Sequence, residues 1–318
     1  DFLMNETEIE IILLMRHRSS FANLSSWSSE INNKNRIFVE YGDINDFVSL
    51  SNIFQKHKFD FVSHLAAQSF PRTSFDSPIE TLQTNIIGTA NILECCKKYC
   101  SEAKIHICAS SEVFGRVPKE AIPIHEENMF HPASPYAISK AGTDLLGRFY
   151  GEGYGLKVFT TRMFTHTGPR RTDVFAESTF AKQIALIEKG LIEPIVKVGN
   201  LNSMRTFADV RDAVRAYWLG LNAKFVPGSY FNIGGNFSCT IGDMLNFLIK
   251  QAKVNPISIE KDMSRMRPLD ADLQIPDCSK FKELVNWEPE YSFEKTMTDL
   301  LNYWREQISY QSGETVVR

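Results

Sequence analysis

Short apolar runs alternate with longer amphipathic stretches through the first half of the chain. The apolar runs have the length and residue types of buried strands, and the stretches between them repeat apolar residues at helical spacing. The predicted elements are the strands Glu8–Met15, Arg36–Tyr41, Phe59–Ala66, Ala103–Ala109 and Leu156–Phe164, and the helices Asp46–His57, Ile79–Tyr99 and Pro135–Tyr154. This alternation predicts an α/β fold with a doubly wound parallel sheet.

Beyond Thr165 the composition changes and loops become more frequent. The helices predicted there are Glu177–Lys189, Val210–Leu221, Ile241–Gln251 and Phe293–Arg305. We therefore predict a sheet domain over residues 1–165 and a smaller substrate-binding lobe over residues 166–318, with some segments of the lobe returning to the sheet.

The composition is that of an ordinary globular protein, with 43% hydrophobic and 23% charged residues in a chain of 318. The net charge of −3 gives no indication of nucleic-acid or anionic-membrane binding, and no apolar stretch approaches the roughly 20 residues of a membrane span. The six cysteines include no CxxC pair, and no set of histidines and cysteines has the spacing of metal ligands. We expect a cytoplasmic protein with reduced thiols and no metal.

Tyr136 and Lys140 lie one helical turn apart, on one face of a helix that Ser134 and Pro135 are well suited to begin. A tyrosine ionises near pH 10, and a nearby ammonium favours the phenolate, so we expect Lys140 to lower the pKa of Tyr136. The pair is then a candidate general base for a sugar or alcohol hydroxyl. Taken alone, the same spacing occurs in many helices by chance.

The triplet Ser110-Ser111-Glu112 follows the predicted strand Ala103–Ala109. In an open α/β sheet, ligands bind at the carboxyl ends of the strands. Ser110 can hold a substrate hydroxyl there, while Glu112 adds a separate acid/base group that alcohol oxidation alone does not need. The alternative for Glu112 is a surface carboxylate without a catalytic role.

Five ordered segments resemble the signatures of the extended short-chain dehydrogenase/reductase family, and specifically of its GDP-mannose 4,6-dehydratases. These segments are Leu65–Ser69, Asn85–Thr89, Ser110–Gly115, Ser134–Lys140 and His166–Arg171. The resemblance implies that residues 1–165 form an NADP-binding Rossmann domain and that residues 166–318 bind mainly the nucleotide sugar.

For function, the resemblance implies an NADP-dependent GDP-sugar 4,6-dehydratase, most simply one that converts GDP-mannose to GDP-4-keto-6-deoxymannose. It assigns removal of the C4 hydroxyl proton to Tyr136, binding of the C4 oxygen to Ser110, removal of the C5 proton to Glu112, and positioning of the nicotinamide ribose to Lys140. The alternatives are a dehydratase of another GDP-sugar such as a GDP-heptose, a nucleotide-sugar 4-reductase or epimerase, and a noncatalytic remnant without cofactor.

One departure from the family pattern is that no glycine occurs before Gly42. A dinucleotide-binding fold normally opens with a strand and a glycine-rich loop that approaches the pyrophosphate. We expect that the chain begins after this element, in which case its sheet lacks a central strand. The alternative is a genuine loss of cofactor binding.

Arg16, Arg18 and Ser19 follow the first predicted strand, where an acidic residue would hold the ribose of NAD. Arginines and serines instead suit the additional phosphate of NADP, although a solvated basic turn is the alternative. The resemblance implies further cofactor contacts from Asp43, Ile44, Leu65, Ala66, Ala67, His166 and Arg171, besides Tyr136 and Lys140. Asp43 could equally be a helix cap.

Arginines are the natural ligands of a diphosphate, and Arg205 and Arg267 lie in segments that resemble the family's nucleotide-sugar segments. The substrate contacts that the resemblance implies are Ser69, Ser111, Thr165, Arg205, Arg267 and Asp270. Thr165 stands where relatives have asparagine, which leaves the identity of the sugar open. The resemblance also implies a homodimer or homotetramer, with the predicted helices Ile79–Tyr99 and Pro135–Tyr154 as the interface.

Overall fold

A computed structural model of the chain describes residues 1–267, 269 and 271–311. Its strands are β1 (Ile11–Met15), β2 (Ile37–Tyr41), β3 (Phe61–His64), β4 (Lys104–Cys108), β5 (Val158–Met163), β6 (His166–Thr167), β7 (Ile195–Val198), β8 (Met204–Asp209), β9 (Ser229–Ile233), β10 (Phe237–Thr240), β11 (Ser258–Lys261) and β12 (Leu273–Gln274). Its helices are α1 (Phe2–Glu6), α2 (Ser28–Asn33), α3 (Phe47–Lys56), α4 (Pro71–Asp76), α5 (Pro78–Leu82), α6 (Gly88–Tyr99), α7 (Pro135–Tyr154), α8 (Ala176–Glu188), α9 (Val210–Asn222), α10 (Ile241–Lys250), α11 (Ser279–Val285) and α12 (Phe293–Gln311).

Four parallel strands form the main sheet, in the order β3-β4-β5-β9. All six residues of β5 are buried, as expected for a parallel strand whose two faces are both covered. Ile105 and Ile107 of β4 pack with Leu50 of α3 and Leu93 of α6 in one fully buried core. The strand β9 comes from the second half of the chain, and the predicted domain boundary at residue 165 stays a prediction.

The strands β1 and β2 form a parallel two-stranded sheet of their own. Within the ranges that the structure describes, β1 hydrogen-bonds to β2 and to no strand of the main sheet, so the predicted parallel sheet is divided into two parts. Every residue of β1 is only partly buried. The α/β class and the parallel strands are nevertheless confirmed.

The helix predicted over Ile79–Tyr99 is not continuous. It divides into α5 and α6, joined by a π-helical turn over Gln83–Ile87. Asn85 in this turn donates to the Gln68 carbonyl (2.9 Å) and to the Ser139 hydroxyl (2.8 Å), while its side-chain oxygen accepts from the Gln68 amide (2.8 Å). These contacts tie the turn to neighbouring segments, and such π-turns are typical of functional regions.

The helix α7 has the predicted bounds. Its N-terminus is capped by the Ser134 hydroxyl, which accepts from the Ala137 amide at 3.0 Å, and Pro135 occupies the first turn. Gly155 ends it in the left-handed conformation, with φ of 71°. This helix packs against β4 and β5 and carries Tyr136 at its start.

The second half of the chain builds a separate core around three helices. Ile184 of α8, Leu245 of α10 and Leu300 of α12 are fully buried together. Beside them, β8 pairs with β10, β12 and β6, and β7 pairs with β11. Among the helices in the described residues, none is both long and apolar enough to cross a bilayer.

Candidate active site

A cleft of about 570 Å³ opens at the carboxyl ends of β4 and β5, between the main sheet and the second core. This volume is in the range of small-molecule sites. Most of the site residues predicted from the sequence line it, namely Leu65, Ala67, Ser69, Ser110, Ser111, Glu112, Tyr136, Lys140, Thr165, His166, Arg171, Arg205 and Arg267. All four predicted catalytic residues are therefore on one surface.

A tight turn after β4 presents Glu112 to the cleft. The Ser110 hydroxyl accepts from the Glu112 amide at 3.2 Å and so begins the 3₁₀ turn Ser111–Phe114. Gly115 ends this turn with φ of 56°, and a Cβ atom built there would lie 1.6 Å from the His131 carbonyl oxygen. Only glycine fits this close approach of two backbone segments.

Lys140 is buried below the cleft, and its Nζ donates to the Cys108 carbonyl at 2.6 Å. Burial lowers the pKa of the Lys140 ammonium. Within the described part of the chain, no acceptor other than this carbonyl bonds its Nζ. A buried ammonium with spare donors suits a polyhydroxyl ligand, such as a ribose.

The prediction that Lys140 lowers the pKa of Tyr136 is wrong for this structure. Burial raises the pKa of the Tyr136 phenol above its ordinary value, and the nearby Cys108 and Glu112 raise it further. The Ser110 hydroxyl and the Arg171 guanidinium act in the opposite direction. Desolvation therefore outweighs the nearby cationic charge, and the phenol is protonated at neutral pH.

Two arginines expected at the diphosphate reach the cleft from the second half of the chain. Arg267 Nη1 lies 3.7 Å from Glu112 Oε1, with both side chains mostly buried. Arg205 is buried in β8, where it donates to the carbonyls of Met204 and Ala271. Asp270, the remaining predicted substrate ligand, lies outside the described residues.

Arg171 forms another part of the cleft wall. Its guanidinium stacks on the Phe175 ring, 3.4 Å from the ring centroid, and its Nε lies 3.5 Å from Glu177 Oε1. Glu177 is buried, and in the described structure neither of these two atoms has a hydrogen bond. Desolvation and the Arg171 charge lower the pKa of His166 to about 4, which keeps its imidazole neutral.

The remaining cofactor residues predicted from the sequence do not line the cleft. Arg16, Arg18 and Ser19 follow β1, where both arginines are exposed. The Asp43 carboxylate accepts from the Asn45 amide at 2.9 Å, so it stabilises its own turn. Ile44 is a core residue, and Ala66 is exposed after β3.

Sequence reasoning missed two buried residues of the cleft, Tyr217 and Glu177. The Tyr217 hydroxyl lies 3.7 Å from Cys108 Sγ, close to the residue whose carbonyl binds Lys140. Tyr217 lies on α9 among apolar neighbours and has the pattern of a core residue. Glu177 lies in the first turn of α8, where an acidic residue is usual on helix-dipole grounds alone.

Comparison with known proteins assigns the chain to a family. The family model described as GDP-mannose 4,6 dehydratase matches residues 1–300. The chain belongs to the GDP-mannose 4,6-dehydratase family. This membership confirms the resemblance inferred from the segments around Ser110 and Tyr136, together with the Rossmann-type fold.

Two curated relatives have different activities by name. The chain is 31% identical over 249 residues to a GDP-6-deoxy-D-mannose reductase of Pseudomonas aeruginosa, covering 78% of this chain and 81% of the relative. It is 32% identical over 268 residues to GDP-mannose 4,6 dehydratase 1 of Arabidopsis thaliana, covering 83% of this chain and 73% of the relative. The chain is thus similar both to a dehydratase and to a reductase of GDP-sugars.

A solved structure supports the same fold. The structure of RMD from Pseudomonas aeruginosa complexed with NADPH superposes with a TM-score of 0.81 at 26% identity, covering 94% of this chain and 99% of that chain. The family's fold therefore extends through both halves of this chain.

Proposed function

We propose that the protein is an NADP-dependent GDP-sugar 4,6-dehydratase, most simply one acting on GDP-mannose. The observation that carries this proposal is the presence of Glu112 on the same cleft surface as Ser110, Tyr136 and Lys140. Hydride transfer at C4 requires only one acid/base group, whereas elimination of water requires a second. Glu112 is in position to be that second group.

The proton transfers follow from these residues. Ser110 holds the C4 oxygen of the sugar, and Tyr136 takes the C4 hydroxyl proton as the ketone forms. The ketone acidifies the C5 hydrogen, which the Glu112 carboxylate removes. Glu112 then passes this proton to the C6 hydroxyl, which leaves as water, and Tyr136 gives the proton that it took from the C4 hydroxyl to C5 as C6 is reduced. A bound nicotinamide would supply one kind of chemistry, accepting hydride from C4 and returning it to C6.

The raised pKa of Tyr136 means that a bound ligand must lower this pKa before the residue can act as a base. The buried phenol stays protonated at neutral pH and so cannot accept a proton from the sugar. Cationic charge brought next to it would lower its pKa, and an oxidised nicotinamide ring carries such a charge. Tyr136 is thus expected to become a base only when cofactor is present.

The residues of the cleft suit a dinucleotide at its nicotinamide end. Lys140 would hold the ribose hydroxyls with its spare donors, and Leu65 and Ala67 line the adjoining wall. Arg16, Arg18 and Ser19 are proposed to hold the additional phosphate of NADP, because exposed guanidinium groups bind phosphate well. A nicotinamide cofactor also agrees with the NADPH-bound structural relative.

A specific observation favours a second function, reduction of a 4-keto GDP-sugar. A curated reductase and the NADPH-bound structure both match most of this chain. In that reaction Tyr136 would donate its proton to the C4 oxygen, a task that suits its raised pKa better than base catalysis does.

Mass spectrometry of GDP-mannose incubated with NADP⁺ and the protein tests the proposal. We expect the loss of one water without net formation of NADPH. An unchanged mass, together with NADPH oxidation when GDP-4-keto-6-deoxymannose is supplied, would instead establish the reductase. Failure of both reactions in protein that is shown to bind NADPH would refute both functions for these two substrates.

The variant Glu112→Gln separates the same two functions within one protein. It keeps the size of the side chain but removes its basicity. Elimination is expected to cease while folding, followed by circular dichroism, is unchanged. Dehydration at the wild-type rate would show that Glu112 has no such role.

We also propose that the protein forms a homodimer or homotetramer. Ile138, Leu145 and Phe149 form an apolar stripe along α7, each about half exposed at 50%, 51% and 53%, and Ile87 in the neighbouring turn is 51% exposed. A second copy would cover this face, and light scattering of wild type and Phe149→Asp tests it.

The six cysteines are all free thiols, which supports a reducing, cytoplasmic location.

A further inference from the structure

A completely buried ion pair joins α7 to the main sheet. Arg162 of β5 donates from Nε to Asp144 Oδ2 at 2.8 Å and from Nη2 to Asp144 Oδ1 at 3.0 Å, and neither side chain has any exposed surface. Replacing such a pair by apolar residues is often neutral or stabilising. Fold stability is therefore a weak reason for its presence.

The same guanidinium has further contacts on its other sides. Its Nη1 donates to the backbone carbonyl of Glu126. Its central carbon lies 4.7 Å from the centroid of the Phe130 ring and 5.4 Å from that of the Phe114 ring. It also lies 4.4 Å from the centroid of the Tyr230 ring on β9. Arg162 thus contacts α7, the 3₁₀ turn Ser111–Phe114, residues 126–130 and β9.

The first three of these segments lead to predicted catalytic residues. Asp144 lies on α7, four residues after Lys140 and eight residues after Tyr136. The eight residues correspond to about 12 Å along the helix axis. Phe114 ends the 3₁₀ turn that contains Glu112.

The Phe130 segment connects the other two. The amide of His131 donates to the Val113 carbonyl at 3.0 Å, and the His131 carbonyl abuts Gly115. The same segment then continues into Ser134, the cap of α7. Arg162 therefore contacts both the turn that carries Glu112 and the segment that leads to Tyr136. It does not itself line the cleft.

We propose that Arg162 is a positioning residue, which fixes the turn carrying Ser110 and Glu112 relative to the helix carrying Tyr136 and Lys140. This inference rests on the proposed function for its catalytic consequence. Its physical basis is the planar guanidinium, which binds a carboxylate, a carbonyl and aromatic rings in fixed directions at once. A misplacement of about 1 Å between reacting groups can lower a rate about 10²-fold.

The double variant Asp144→Leu/Arg162→Met tests the proposal without leaving an unpaired buried charge. Its matched control is Glu188→Leu/Arg305→Met. Arg305 also forms a two-bond contact with a carboxylate, at 2.8 and 2.7 Å, and donates to a backbone carbonyl, that of Gln251, but this pair joins α12 to α8 and lines no part of the cleft. Both double variants remove one ion pair of the same geometry.

Hydrogen exchange and steady-state kinetics then give independent readouts. In Asp144→Leu/Arg162→Met we expect about tenfold or faster exchange at the amides of Val113, Gly115 and His131, and a kcat per folded site about 10²-fold lower with little change in KM. The control is expected to keep the wild-type exchange at these amides and the wild-type kcat. The variant Arg162→Lys, which keeps the charge without the planar fork, should recover only part of kcat.

Wild-type exchange at these three amides in the Asp144→Leu/Arg162→Met protein would overturn the inference, and so would faster exchange with an unchanged kcat. If wild-type protein turns over neither GDP-mannose nor the 4-keto sugar, the proposed function fails. The exchange measurement then decides the positioning role by itself, because it needs no substrate.

Discussion

The main sheet and the β1–β2 pair differ in how completely the protein fixes them. In the main sheet every residue of β5 is buried, and the turn after β4 is held by backbone contacts on both sides. In the pair no residue of β1 is fully buried, and the two arginines that follow it are exposed.

Under the proposed function, this difference separates chemistry from cofactor recognition. Groups that transfer protons must be held closely, and the protein alone holds Ser110, Glu112 and Tyr136. Exposed arginines that bind phosphate gain their partner from the ligand, so less of their geometry needs to exist beforehand. Changes in the main sheet should therefore reduce rate and stability strongly, and changes near β1 only modestly.

The largest effect is expected for Tyr136→Phe, which removes the proposed proton donor and acceptor of the cleft. We expect kcat to fall about 10³-fold, since positioned acid–base groups contribute about 10² to 10⁴. The measurement is product formation under saturating substrate. Tyr154→Phe, at the exposed end of the same helix, is the control and should retain wild-type kcat.

Truncating one apolar side chain in the main sheet and one in the β1–β2 pair compares the two regions directly. Ile107→Ala in β4 should lower the free energy of unfolding by about 3 kcal/mol, because Ile107 is fully buried and leaves a cavity. Leu13→Ala in β1 should cost about 1 kcal/mol, since Leu13 is only partly buried. Urea unfolding of both variants measures these values, and equal losses would contradict the contrast.

Mild acid should destabilise the main sheet through His64 and His106. Burial, reinforced by Lys140, lowers the folded-state pKa of each imidazole to about 3, below the unfolded value of 6.5. The unfolded chain therefore binds protons first, so this stabilisation is complete above pH 6.5 and is lost as the pH falls towards 3.

At pH 5.5 the loss is about 1.4 kcal/mol for each histidine relative to neutral pH. Urea unfolding at pH 7.5 and 5.5, with wild type and His106→Gln, measures it. The His106 ring is hydrogen-bonded to the Ser63 hydroxyl at 3.0 Å and to the Thr161 hydroxyl at 2.8 Å. Glutamine can replace these polar contacts but does not titrate. An equal pH dependence in both proteins would remove His106 from this account.

A modest effect, confined to one cofactor, is expected from Arg18→Ala just after β1. Loss of one exposed guanidinium should weaken NADPH binding about tenfold, or about 1.4 kcal/mol, and leave NADH binding unchanged. Fluorescence titration with the two cofactors compares them. An equal change for both would show that Arg18 does not recognise the additional phosphate.

The sequence predicted the bounds of a helix correctly where capping residues mark its ends. Ser134, Pro135 and Gly155 mark both ends of α7, and the structure has the predicted bounds. The helix over Ile79–Tyr99 was interrupted instead, because Asn85 bonds to Gln68 and Ser139, which are distant along the chain. Such tertiary contacts leave no local pattern.

The same distinction applies to the site. Ser110, Glu112, Tyr136 and Lys140 were predicted because their two motifs occur in order along the chain, and the structure brings all four to one cleft. The pKa of Tyr136 was predicted in the wrong direction, because it depends on burial by segments far away in sequence. Glu177 and Tyr217 were missed since a first-turn acid and an apolar helix face usually have structural roles.

Gly115 has a consequence for how this protein can vary. With the His131 carbonyl 1.6 Å from where any side chain would begin, position 115 tolerates a single amino acid. In a saturation library selected for activity, every other codon at this position should disappear, including alanine. Mutational drift that keeps the turn after β4 would therefore have to leave this residue unchanged.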